Sequence, residues 1–126
     1  MPKTVSQTPS APKAIGPYSL ATEAGGFVFL SGQVAIDPAT GDRREDNIEI
    51  QTRQVMDNIG AILGDLTLGY DDIVKTTIFL GDMGDYPKVN EVYGGYFTGP
   101  PPARSAIQAG ALPGGFLVEI EVVAAR

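Results

Sequence analysis

An arginine that no acid neutralises is a ready binding point for a carboxylate or a phosphate. Of the five arginines in this sequence, Arg104 is the one with a rigid approach. The run Pro100-Pro101-Pro102 fixes φ three times and removes three backbone donors. It delivers a stiff, extended segment whose first polar residue is Arg104. The stretch that follows, Ser105-Ala106-Ile107-Gln108-Ala109, is short and apolar enough for a strand. A guanidinium keeps its charge at any physiological pH and presents a planar fork that fits a carboxylate or phosphate. Two readings are open at this point: a ligand anchor, or a structural ion pair tying the strand to an acidic partner. Period two along Phe116–Ala124 puts Phe116, Val118, Ile120, Val122 and Ala124 on one face and Leu117, Glu119, Glu121 and Val123 on the other. Two carboxylates on one face of an apolar strand need partners or water. Arg104 is the obvious partner, because only a short Gly- and Pro-containing link separates the two strands.

Three further positions have the right chemistry for a small anionic ligand. Gly16-Pro17 ahead of Tyr18 reads as a turn that aims the phenol into the structure, either as a cleft residue or as a core tyrosine with its hydroxyl satisfied. Ser31-Gly32 interrupts a strand pattern, where glycine marks a bulge or a close approach of the backbone to something else. A hydroxyl beside an accessible backbone N–H there is suited to grip an anion. Asn90 lies about 100° round from Val89 on a helical pattern, at the border of its apolar stripe, where an amide either reaches a ligand or simply faces water.

Absences narrow the chemistry more than presences do. The 126 residues include no cysteine and no histidine. Thiolate nucleophiles, zinc fingers and Ser-His-Asp triads are therefore excluded. No carboxylate spacing matches a calcium loop. Catalysis is left with carboxylates, arginine, hydroxyls, backbone N–H groups and water, an inventory suited to an electrophile that is already activated. The net charge of −6 disfavours a polyanionic partner such as nucleic acid. No apolar run reaches the roughly 20 residues that span a bilayer, and the first residues lack the apolar core of a signal peptide. The chain is read as soluble and cytoplasmic, with neither nucleic acid nor membrane as partner.

The elements that must position these residues follow from periodicity. Residues 1–126 are read as one domain, with 1–13 as a polar, partly ordered arm. Tyr18 to Glu23 reads as a strand, Gly25-Gly26 as a hairpin turn, and Phe27–Leu30, apolar on both faces, as a central strand that resumes at Gln33–Ile36. Asp46 and Glu49 predict a capping-box start to an amphipathic helix carrying Ile48, Thr52, Val55, Met56, Ile59, Ile62 and Leu63, with Gly64 at its end. Ile73–Leu80 is β-branched and aromatic, hence a strand. Asp85 predicts the cap of a second helix, with Val89, Val92, Tyr93, Tyr96 and Phe97 as one stripe and Gly94-Gly95 as an unexplained weak point inside it.

These stretches together carry a family likeness. The segments Ala14-Ile15-Gly16-Pro17-Tyr18-Ser19, Leu30-Ser31-Gly32-Gln33, Asp37-Pro38-Ala39-Thr40-Gly41, Gln54-Val55-Met56-Asp57-Asn58-Ile59 and Val74–Leu80 stand in order. So do Val89-Asn90, Pro102-Ala103-Arg104-Ser105, Ala111-Leu112-Pro113 and Val118-Glu119-Ile120-Glu121. The sequence resembles the RidA/YjgF-type reactive-intermediate (enamine/imine) deaminases over nearly its whole length. The resemblance implies an α+β, chorismate-mutase-like fold: a mixed sheet of about six strands with two helices packed on one face. It implies a homotrimer with ligand clefts between subunits. It also implies hydrolysis of 2-imino or 2-aminoacrylate-type intermediates to 2-keto acids and ammonia, without a cofactor or metal. By matching positions, Arg104 would hold the substrate carboxylate and Glu119 would position or activate water. Tyr18, Ser31, the Gly32 backbone and Asn90 would line the cleft. Ala106 stands where the archetypal deaminases carry cysteine, which bears on cleft shape and substrate choice. The alternative is a non-catalytic protein that binds or senses small 2-keto or other carboxylic acids.

Overall fold

The computed structural model describes residues 2–126. Its core is one six-stranded sheet. The strands are β1 (Thr4–Val5), β2 (Ala21–Ala24), β3 (Phe27–Gln33), β4 (Ile73–Leu80), β5 (Ala103–Gln108) and β6 (Val118–Ala125), in the spatial order β1-β2-β3-β6-β4-β5. Only β4 and β5 run parallel; every other neighbouring pair is antiparallel. A parallel pair requires a crossover, and α2 (Tyr86–Gly94) supplies it. The long helix α1 (Ile48–Asp65) lies between β3 and β4 in sequence. It packs against α2 and against β6. The two helices therefore share one face, and the expected α+β architecture is the one observed.

The core is the layer between that face and the helices. From β6, Val118, Ile120, Val122 and Ala124 enter it; from α1, Val55, Met56, Ile59, Ile62 and Leu63; from α2, Val89 and Tyr93. Burying side chains of this size is worth roughly 1.5–3 kcal/mol each, which is why these positions hold the sheet and helices in register. The other face of the sheet has no helix over it. Phe27, Phe29 and Ile107 are exposed there or at its edges.

Element boundaries differ from expectation for local reasons. Tyr18 and Ser19 precede β2 rather than belonging to it, because Pro17 and the Tyr18 N–H to Gly16 carbonyl bond (2.9 Å) make a tight turn. The N-cap of α1 is Asn47, one residue later than the predicted Asp46. The Asn47 side chain accepts from the Ile50 N–H at 2.9 Å, and Asn is as good a cap as Asp. Gly64 stays helical, and α1 instead closes on a non-glycine residue, Thr67, at φ 59°. The Leu68 N–H returns to the Leu63 carbonyl at 2.8 Å, so the closure is a backbone C-cap that tolerates threonine. Gly94-Gly95 ends α2, where the stripe predicts a helix running on through Phe97, because two glycines cost too much helix propensity; Tyr96 and Phe97 lie beyond the helix but still stack on Tyr70, with centroids 5.3 and 6.3 Å away. β1 had no counterpart in the periodicity, being two residues long.

Gly32 lies in a register shift between Leu30 and Gln33 where β3 meets β6, so the bulge reading holds. The segment after it is not a continued strand. It is tethered to α1 by Asn58, a buried amide that donates to the Ile36 carbonyl at 2.9 Å and the Val34 carbonyl at 3.4 Å, and accepts from Gln54 Nε2 at 2.9 Å. No helix among the described residues is long and apolar enough to cross a membrane. Asn58→Ala removes the side-chain donor to the part-buried Ile36 carbonyl, while the Val34 carbonyl keeps the Ile36 N–H at 2.8 Å, a loss of about 1–2 kcal/mol. Urea unfolding is the check, and an unchanged midpoint would show that the tether does not hold the segment.

Candidate active site

Arg104 is the second residue of β5, and its side chain reaches the helix-covered face. Its register partner on β4 is Thr76, whose buried hydroxyl shares a 2.8 Å hydrogen bond with the Tyr93 hydroxyl of α2. The guanidinium lies against one stripe of α2. Nη1 donates to Asn90 Oδ1 at 2.7 Å, and Nη2 donates to the Tyr86 hydroxyl at 2.7 Å. Its centre stands 5.4 Å from the Tyr86 ring centroid and 5.3 Å from that of Tyr93, within cation–π range. Residues 86, 90 and 93 follow i, i+4, i+7 spacing, so one helical face supplies every contact.

The cation has no acidic partner. Among the described residues the ion pairs are Arg43–Glu45, Arg44–Asp37 and Arg126–Glu23. The expected pairing of Arg104 with the β6 carboxylates is overturned by topology. β5 sits at the sheet edge against β4, and β4 separates it from β6. What surrounds Arg104 is neutral oxygen, aromatic rings and an open hollow. That hollow measures about 470 Å³ and is lined by Asn90, Tyr93, Gly94, Pro101, Pro102 and Arg104. Gly94, the last residue of α2, stands on this wall, and a Cβ added to it would meet only open space. Ala106, two residues along β5, points the same way as Arg104 and packs at the margin of the core.

Glu119 belongs to the opposite face. Its neighbours in sequence, Val118 and Ile120, are fully buried under the helices, so period two turns Glu119 away from them. It leans over the β3 bulge. A Cβ added at Gly32 would overlap the Glu119 carboxylate and stand 2.8 Å from its Cδ, so only glycine leaves that approach free. Ser31, beside it, donates from Oγ to the Ser19 carbonyl at 2.6 Å, which ties the bulge to the loop carrying Tyr18. Tyr18 and Gly32 line one small hollow of about 40 Å³, and Tyr18 is 46% exposed. Half-burial pushes the Glu119 carboxyl above its ordinary range, and the neighbouring negative charge of Glu121 adds to the rise. Glu121 itself is exposed, so Glu119 is the carboxylate held in a partly dry setting.

The predicted residues therefore fall into two groups. Arg104, Asn90 and Ala106 stand on the helix face at one edge; Ser31, Gly32 and Glu119 stand on the open face, with Tyr18 in the loop bordering the bulge. One sheet lies between Arg104 and Glu119, so a single copy of the chain does not bring the two together. Sequence reasoning did not single out Tyr86 or assign Tyr93 to the guanidinium. Their spacing from Asn90 was the available signal, and it became meaningful only once α2 was seen to pack over β5.

Comparison with known proteins agrees with this fold. The family model described as Endoribonuclease L-PSP matches residues 8–126. A 2-iminobutanoate/2-iminopropanoate deaminase of Mus musculus is 42% identical over 124 residues, covering 98% of this chain and 92% of that protein. The crystal structure of a Rid family protein of unknown function from Yersinia pestis superposes with TM-score 0.95 at 49% identity, covering 99% of this chain and all of that one. That of E. coli TdcF with bound serine superposes with TM-score 0.92 at 36% identity, covering 98% of each chain. The chain belongs to this family, the YjgF/RidA group.

A carboxyl whose folded-state pKa is raised favours the folded state only while protonated. Its contribution is present below the unfolded-state value and is lost as pH rises through the folded-state value. Glu119→Gln should therefore raise Tm at pH 7.5, with the gain closing as pH falls below the ordinary glutamate range of about 4. Thermal melts at pH 7.5 and 3.5 check this; a lower Tm for the variant at pH 7.5 contradicts the assignment.

Proposed function

We propose that this protein hydrolyses short 2-imino and 2-aminoacrylate-type acids to 2-keto acids and ammonia, in a cleft formed between copies of the chain in a homotrimer, without a cofactor. The observation that carries this reading is the position of Arg104: a cation with no acidic neighbour, at the wall of a hollow, its charge free for a carboxylate. The deaminase name of the 42% identical mouse relative supports the reaction class. The serine bound to E. coli TdcF supports a small amino- or keto-acid-sized ligand.

The chemistry needs little more than these residues. A protonated imine carbon is a strong electrophile. Water adds to it, giving a carbinolamine; the C–N bond then breaks as the hydroxyl is deprotonated, releasing ammonia and leaving the ketone. Arg104 binds the carboxylate and fixes the imine carbon in space. Glu119, its basicity raised by its setting, takes a proton from the attacking water, gives it to the departing nitrogen, and then accepts the hydroxyl proton as the C–N bond breaks, a proton that leaves with ammonia as ammonium. Tyr18, Ser31, the Gly32 backbone and Asn90 line the cleft, and Ala106 leaves room beside the anchor. Orientation contributes several kcal/mol and one placed acid–base about 10²–10⁴-fold. Phosphodiester cleavage fits less well, since the chain holds no histidine and is acidic.

Because the sheet separates Arg104 from Glu119, we assign the two to different copies of the chain in each cleft. Exposed Phe29 and Ile107, with no helix over them, support contact between copies through the open face. Arg104→Ala and Glu119→Ala should each lower kcat/KM on oxidase-generated 2-iminobutanoate by about 100-fold or more. Co-expressed, the two inactive chains should recover about a quarter of wild-type activity in randomly mixed trimers, since a quarter of clefts then hold both intact residues. Mixed assemblies that stay as inactive as either parent would place both residues in one chain's site. Binding of 2-oxobutyrate at Arg104 with no turnover of any imine would favour the non-catalytic sensor.

A further inference from the structure

The Tyr86 hydroxyl has no role in holding the fold that the structure reveals. The ring packs at the margin of the core, which accounts for an aromatic residue there. The hydroxyl has one partner among the described residues, Arg104 Nη2 at 2.7 Å. Tyr86 is also unusually well placed for a first helical residue. Pro87 follows it and restricts the first turn of α2. The turn that precedes it, Met83–Asp85, is pinned twice: Asp82 Oδ1 accepts from the Gly84 N–H, and Gln108 Oε1 accepts from the Met83 N–H, both at 2.8 Å. Gln108 is the last residue of β5, the strand that carries Arg104. The donor and the acceptor of the Arg104–Tyr86 bond are thus mounted on elements that are joined a second time a few residues away.

A guanidinium on a flexible side chain has one orientation in which its fork meets a carboxylate squarely, and many in which it does not. Here its two terminal nitrogens are held by separate oxygens, Asn90 Oδ1 and Tyr86 Oη, one helical turn apart on α2. Two fixed points on a planar group set its rotation as well as its position. Both acceptors are uncharged, so the restraint leaves the positive charge unspent. Two of the five N–H groups are engaged, and the rest stay free for a ligand.

We infer that Tyr86 is a positioning residue: its hydroxyl sets the rotation of the Arg104 guanidinium and thereby the affinity for the substrate carboxylate. This rests on Arg104 being the carboxylate anchor, as proposed above. Tyr86 stands behind the guanidinium and does not line the hollow, so its loss acts on binding and leaves the bond-making step alone. Tyr86→Phe is the clean probe, because it keeps the ring, its packing and its cation–π contact and removes only the oxygen.

The experiment is a double-mutant cycle on the full chain with Tyr86→Phe, Arg104→Lys and the double variant. The Kd of 2-oxobutyrate is measured by calorimetry, and KM and kcat on oxidase-generated 2-iminobutanoate. Tyr86→Phe should raise Kd and KM about 5- to 20-fold, with kcat within about two-fold of wild type. In the Arg104→Lys background the same change should move Kd less than about two-fold, since an ammonium has no fork to orient. A Tyr86→Phe variant with wild-type Kd and KM overturns the inference, as does an equal loss in both backgrounds, which would show general damage. If wild type neither binds 2-oxobutyrate nor hydrolyses the imine, the anchoring role of Arg104 falls first and this inference with it. If wild type does both and Tyr86→Phe is silent, only the role of Tyr86 is lost.

Discussion

The constraint on which this molecule depends is that a β-sheet is one residue thick, with side chains leaving it alternately up and down. On β6 that alternation sends Val118, Ile120 and Val122 into the helix-covered core and leaves Glu119 on the far side. On β5 it sends Arg104 up against α2. A one-residue slip in β6 would exchange its faces and bury Glu119 and Glu121 in the core, at a cost of several kcal/mol, and a slip in β5 would turn Arg104 away from α2. The same burial energy that holds the sheet together therefore keeps the two charged residues apart within one chain. It is also why, in the proposed assembly, the open face carrying Glu119, Phe29 and the Gly32 bulge would be the one to meet a second copy.

The cation is held in a way that suits this division. A salt bridge would fix Arg104 just as firmly but would cancel the charge on which ligand binding relies. Two neutral oxygens and two aromatic rings restrain it and leave the charge in place. The carboxylate is treated in the converse manner. Glu119 forms no ion pair among the described residues, stands next to Glu121, and is half-buried, so its proton affinity rises. In the proposed reaction the first would attract an anion and the second accept a proton, and neither arrangement would survive if the two neutralised each other in the folded chain.

Much of this was legible in the residues. The strands β4 and β6, helix α1 and the Gly32 bulge follow from period-two and period-3.6 patterns and from a glycine in an apolar run. The misreadings have specific causes. Asn47 displaced Asp46 as the cap because both side chains satisfy the same donors and only the entry angle of the chain chooses between them. Arg104 does not partner the Glu119 and Glu121 face, because a short connection between two strands does not make them neighbours. The chain instead places β4 between them, as a parallel β4–β5 pair allows. Tyr86 was missed because a tyrosine at a helix start carries no local signal of what its hydroxyl will meet.

The residues by themselves determined which chemistry was open: without histidine or cysteine, only arginine, carboxylates, hydroxyls and backbone donors remained, and their spacing assigned them to strands and helices. That much is local, because propensity and periodicity act over a few neighbouring positions. Which face each charge occupies, which oxygens hold the guanidinium, and that Arg104 and Glu119 are divided by the sheet were decided by tertiary structure. Those outcomes depend on strand order and helix placement, and contacts between residues 14 or more positions apart are set by the burial of the whole core.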